Sequence, residues 1–202
     1  YQPSVRAIRM RRESQDVDDA SVITQATEAV SLLTNNLNKL GIKRPHARLL
    51  AEDVIAGIAT GAMIMFDGAL APSVAECCGI SLAGHAVHIV RIPLGLLDSS
   101  ILEQLLAEWT TGIVDTTSPQ VVIIEDINLS AVEAYGTSLT RYISQRILHR
   151  TMGYPPLLLL ATLANGPATI PWGRSNLELG PLFDTDALDW LDKGACACEP
   201  GV

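Results

Sequence analysis

Glu125 and Asp126 are adjacent carboxylates at the end of an unbroken apolar run, Val121 to Ile124, in the stretch PQVVIIEDINLSAVEAY. A buried strand that delivers two acids to its end can offer one to a divalent cation and the other to an attacking water. The pair also has a plainer use, because carboxylates before a helix offset the positive end of its dipole. Polar residues close two further apolar runs. Asp67 and Gly68 follow Ala62 to Phe66, and Thr162 to Asn165 end the run in PLLLLATLAN.

Such residues need strands to carry them and helices to cover the strands. The composition, 48% hydrophobic and 4% aromatic, builds a core from Leu, Ile, Val and Ala, which suits α/β layers. At 202 residues the chain accommodates one well-packed domain with a small appendage. Residues 1–20 are polar and charged, with the basic run Arg6 to Arg12, and read as a flexible lead-in. Residues 21–192 read as the α/β domain with its N-terminal helices, and 193–202 as a tail. Three-and-four spacing of apolar residues predicts a helix over Ser21 to Leu40 and a second from Arg44 to about Gly61. Strands are expected at Ala62 to Phe66, His85 to Ile92, Gln120 to Asp126 and Pro156 to Thr162. Between them fall a short helix at Ala71 to Gly79 and a helix capped by Asp98. A long helix is expected over Ser130 to Arg150, and a last helical stretch near Asp184 to Lys193. Continuously apolar strands alternating with helices imply a parallel sheet covered on both faces. Ligands of such sheets bind beyond the carboxyl ends of the strands.

Several functions are disfavoured. A net charge of −8 speaks against direct contact with nucleic acid. No apolar run reaches the roughly 18 to 20 residues of a membrane span, and no leader pattern opens the chain, so a cytoplasmic location is expected. Two cysteine pairs, Cys77–Cys78 and Cys196–Cys198, could supply four thiolates to zinc, but neither has the usual spacing. Reduced thiols and no metal site are the expectation.

Taken in order, IAGIATGAMIMFDG, VHIVRIPLGLLDSSIL, VVIIEDINLSAVEAYGTSLTRYI and LLLLATLANGPATIP resemble the AAA+ class of P-loop ATPases. The resemblance is closest to the branch of restriction-system motor subunits, MoxR-like proteins and dynein-related ATPases. It implies a three-layer αβα sandwich with a parallel P-loop-NTPase-like sheet, preceded by N-terminal helices. It also implies that Glu125 and Asp126 close a Walker B strand and that Asn165 is the polar sensor 1 residue. ATP or GTP with Mg²⁺ would be the ligand. The partners would be further copies or related ATPase subunits, with Arg141, Arg146, Arg150 and Arg174 as candidates to act across an interface.

One motif departs from that family. The phosphate loop follows GxxxxGK[ST], in which backbone N–H groups and a lysine surround the phosphates. This chain reads GALAPSVAE: Gly68 matches the first glycine, whereas Ser73, Val74 and Ala75 replace the second glycine, the lysine and the hydroxyl. Pro72 removes a donor, and no lysine occurs between Lys43 and Lys193. Each lost charge-assisted contact costs about 1.5 to 3 kcal/mol. The expectation is therefore a degenerate loop at Gly68 and Ser73, vestigial catalytic residues Glu125, Asp126 and Asn165, and a structural or regulatory subunit of an oligomer. The alternative is an active motor whose phosphate site is completed by a partner. A third reading is an α/β adaptor unrelated to ATPases.

Overall fold

Side-chain alternation along the strands decides how the layers form. The computed structural model describes residues 26–84, 86–111, 119–148 and 157–191. Its strands are β1 (Ile64–Asp67), β2 (Val87–Arg91), β3 (Gln120–Glu125), β4 (Leu157–Thr162) and β5 (Leu182–Asp184). They form one sheet in the order β2-β3-β4-β1-β5, and every pair is parallel. With helices on both faces, this is an α/β fold with an all-parallel five-stranded sheet, preceded by N-terminal helices.

Ile64 and Phe66 of β1, Val121 and Ile123 of β3, and Leu160 of β4 face one layer. That layer is α1 (Ala26–Leu40), α2 (Arg44–Ala59) and α3 (Ala71–Ala83). Met65, Val122, Ile124, Leu157, Leu159 and Ala161 face the other. It is built from α4 (Ser100–Thr111), α5 (Val132–Tyr135) and α6 (Thr137–Leu148). Because both faces are covered, β1, β3 and β4 are apolar without interruption between their ends, whereas β2 at the sheet edge is half-buried and carries His88 in its middle. In α1, Leu33 and Leu37 sit one turn apart and are fully buried, so this helix is held by its inner stripe.

Asp98 lies one residue outside the N-cap position of α4, which is Ser99, and braces the first helical residue instead. Its Oδ1 accepts the Ser100 backbone N–H at 2.9 Å and its Oδ2 the Ser100 hydroxyl at 2.7 Å, and these bonds lower its pKa. The long helix expected over Ser130 to Arg150 is broken instead into α5 and α6, and a 3₁₀ turn (Ile127–Leu129) precedes them. Gly136 makes the break. Its N–H closes α5 on Val132 O at 2.7 Å, and its own carbonyl accepts the first bond of α6 from Thr140 at 2.9 Å. The C-terminal expectation is also corrected. Residues 182–184 form the fifth strand, and in place of a helix the chain turns at Thr185. It then returns to the α1–α2 junction, where Ile42 bridges Trp190 and Leu191 N–H reaches Gly41 O at 2.7 Å.

Cys77 and Cys78 lie on α3, while Cys196 and Cys198 lie outside the described residues. Burial pushes the Cys77 thiol up to about 11 and the fully buried Cys78 thiol well above its ordinary value. At pH 8 roughly a thousandth of Cys77 is then thiolate, against about a quarter of a free thiol. Iodoacetamide should therefore label the Cys77 peptide more than about 100-fold more slowly than free cysteine. A rate near that of free cysteine, read by mass spectrometry, would show that the thiol is not held in this environment.

Candidate functional site

Strand register gathers the sequence-selected residues on one edge. Asp67 pairs with Asp184, Phe66 with Thr162, and Arg91 with Glu125, so the carboxyl ends of the strands emerge level with one another. Gly68, Glu125, Asp126 and Asn165 follow those ends.

The turn after β1 is short. Gly68, Ala69 and Leu70 alone separate β1 from α3, so Ala71 and Pro72 are already helical. Those are the positions where an open phosphate loop would still be running. Gly68 has φ +107, a conformation that glycine adopts without strain. Its N–H donates to Asp67 Oδ1 at 2.7 Å, and the Ala69 N–H donates to Asp186 Oδ1 at 3.0 Å. Two N–H groups of the turn, those of Gly68 and Ala69, are thus engaged by the chain's own carboxylates. A side chain at Gly68 would meet the Thr185 hydroxyl and lie 2.9 Å from the Asp186 carboxylate. Thr185 is fully buried, and both its N–H and its hydroxyl donate to Asp67 O at 2.8 Å, fixing Asp186 over the turn. Val74, at the lysine position, points into the core with no exposed surface, and Ser73 is exposed in the first turn of α3. An incoming triphosphate would meet Asp67, Asp184 and Asp186, all of its own charge sign.

Glu125 and Asp126 do not cap the following helical turn. Asp126 stands at its N-cap without a side-chain bond, and both carboxylates face Arg91 on the neighbouring strand. Arg91 Nη2 lies 2.9 Å from Glu125 Oε2, and Arg91 Nε lies 3.1 Å from that oxygen and 3.1 Å from Asp126 Oδ2. The acids are 17% and 24% exposed and the arginine is 69% exposed. The Asp126 N–H donates to Thr162 Oγ1 at 3.3 Å, tying the acid turn to the end of β4. Asn165 is exposed, and its Nδ2 donates to Asp67 Oδ1 at 3.2 Å. It therefore joins the turn after β1.

The arginines separate. Arg141 is exposed beside a cavity of about 330 Å³. Arg146 is tied inward: NH1 donates to Leu157 O at 2.7 Å, the guanidinium lies 5.8 Å from the Tyr142 ring, and burial lowers its pKa. Arg150 and the side chain of Arg174 lie outside the described residues.

Sequence reasoning missed Arg91, Asn128, Thr185 and Asp186. The polar endings VRIP and FDTD were visible signals, but only the sheet order says which acids and amides they meet. Among the described residues, no group of three or more His, Cys, Asp or Glu side chains could hold a metal ion. No helix there is long and apolar enough to cross a membrane.

No protein-family model matches the chain. It is 32% identical over 169 residues to Druantia protein DruC of Escherichia coli (strain UMEA 4076-1), a match covering 82% of this chain and 25% of DruC. The chain thus spans about a quarter of the length of this curated relative. Solved structures similar to it include C. elegans PCH-2, at 12% identity and a TM-score of 0.49, covering 78% of this chain and 46% of that one. Another is Drosophila ORC bound to AT-rich DNA and Cdc6, at 11% identity and a TM-score of 0.35, covering 79% and 57%.

Proposed function

We propose that this chain is a degenerate AAA+ ATPase-like domain that has lost nucleotide hydrolysis and serves as a structural or regulatory part of an oligomeric assembly. The observation that carries this reading is the turn after β1, whose Gly68 and Ala69 N–H groups are engaged by Asp67 and Asp186. The burial of Val74 where a lysine would reach phosphate supports it. A sheet can outlive its chemistry because core packing and phosphate binding are separate constraints. The likeness to Druantia protein DruC supports an assembly of the Druantia type, with related subunits or further copies as partners.

Calorimetric titration with ATP and GTP in the presence of Mg²⁺ tests the reading. The expected result is no binding at millimolar nucleotide, no turnover, and no difference between the wild type and Glu125→Gln. Micromolar binding with Mg²⁺-dependent turnover that Glu125→Gln abolishes would instead establish an active motor with an atypical phosphate site. Sedimentation adds a second criterion. A mass of one chain at high concentration, with no partner recovered from the native source, would count against the assembly.

A further inference from the structure

The fold family implies Mg²⁺ beside the acid pair, and the donor set does not fit it. Mg²⁺ takes near-octahedral oxygen ligands at about 2.0 to 2.1 Å, typically one or two carboxylates together with phosphates and water. Here Glu125 Oε2 and Asp126 Oδ2 are directed at one guanidinium, and the phosphate side of the site is lined by Asp67 and Asp186.

We propose that Arg91 is the built-in cation of this site and closes the Glu125–Asp126 pair to divalent metal ions. The inference rests on the reading above, that the site no longer takes Mg²⁺-nucleotide. Two features place the charge. Arg91 is the register partner of Glu125 on the adjacent parallel strand, where the strand spacing brings the two side chains together. Successive residues of a continuing strand point to opposite faces, so Glu125 and Asp126 could not both meet one group. The left-handed conformation of Asp126, φ 58 and ψ 38, ends the alternation and lets its carboxylate join the same guanidinium. Aspartate is one of the few residues that visits this region readily. The guanidinium stays protonated throughout the usable pH range, and its planar fork serves two acids at once. A dication entering here would have to displace that charge or sit against it. Exposure of Arg91 keeps the stability contribution of the pair small, so cation exclusion is the property to measure.

The test is Mn²⁺ titration of the whole chain without nucleotide, read by electron paramagnetic resonance. Variants are Arg91→Gln, with Arg91→Met in its place should the first fail to fold, and Arg91→Gln/Asp126→Asn. The wild type is expected to bind no Mn²⁺ at millimolar concentration. The neutral Arg91 variant should bind at least about tenfold more tightly, a difference of 1.4 kcal/mol, and the added Asp126→Asn change should remove that gain. Wild-type binding that Glu125→Gln abolishes would overturn the proposal, as would a folded neutral variant with no gain. Because nucleotide is absent, these outcomes are distinct from ATP binding by the wild type, which would overturn the functional reading instead.

Discussion

Gly180→Ala is expected to cost more than about 4 kcal/mol and to detach β5 from the sheet. Gly180 has φ +152, and an added Cβ would meet the Met63 carbonyl oxygen, 2.9 Å from its carbon and 3.1 Å from its nitrogen. All three are backbone atoms, so no rotamer change relieves the overlap. The same backbone carries the first rungs of the β1–β5 ladder, Met63 N–H to Leu179 O at 3.0 Å and Met65 N–H to Pro181 O at 3.0 Å. Shifting it moves Thr185 and Asp186, which hold the turn after β1. Gly84→Ala is the control without a close approach: φ is +55 and ψ −115, and no described atom lies within 4 Å of the added carbon, so only backbone strain of about 1 to 3 kcal/mol remains. Urea unfolding of both variants checks the contrast. Equal losses would show that the close approach to Met63 is not what fixes Gly180.

That fifth strand is also where sequence reading fell short. β1, β3 and β4 are legible because apolar residues buried on both faces leave unbroken runs, and β2 keeps enough of one around His88. In β5 Leu182 and Phe183 are the only apolar residues, and Gly180 and Pro181 before them read as a loop. The strand exists because β1 offers it an edge and Phe66 meets the Phe183 ring at 6.0 Å, both tertiary facts. The single long helix expected after Ser130 failed for a local reason. The apolar spacing continues through Gly136, and a period cannot show that a glycine closes one helix and opens the next.

The site divides along the same line. Gly68, Glu125, Asp126 and Asn165 were visible because each follows an apolar run. Their partners were not. Arg91 is 34 residues from Glu125 and Asp186 is 117 residues from Ala69, so only the strand order brings them together. The sequence shows that the turn after β1 carries no lysine, whereas the carboxylates engaging its Gly68 and Ala69 N–H groups appear only once β5 lies beside β1. Absence of a lysine and engagement of the turn are different observations, and under the proposed reading a lysine at position 74 would not by itself supply a phosphate contact, because that side chain lies in the core.

Asn128→Ala is expected to cost about 2 to 4 kcal/mol, more than other polar truncations at this edge. Asn128 is 6% exposed. Its Nδ2 donates to Ala164 O at 3.0 Å, its Oδ1 accepts Ala164 N–H at 2.7 Å, and its backbone carbonyl accepts Ile170 N–H at 2.8 Å. One side chain thus fixes the segment carrying Asn165 to the turn carrying Glu125 and Asp126, and truncation strands a donor and an acceptor together. Asn128→Asp separates hydrogen bonding from shape. It keeps the acceptor for Ala164 N–H but sets a carboxylate oxygen against Ala164 O and, at 3.4 Å, Ile170 O. That variant should be as unstable as Asn128→Ala at neutral pH and recover part of the loss as the pH falls toward about 4, the unfolded carboxyl's value. Burial against two carbonyl oxygens raises the folded carboxyl above it, so the proton that makes it a donor again is taken up on the way down. Denaturant midpoints of both variants across that range decide the matter. A pH-independent loss in Asn128→Asp would mean that the amide's donor is not what couples the two turns.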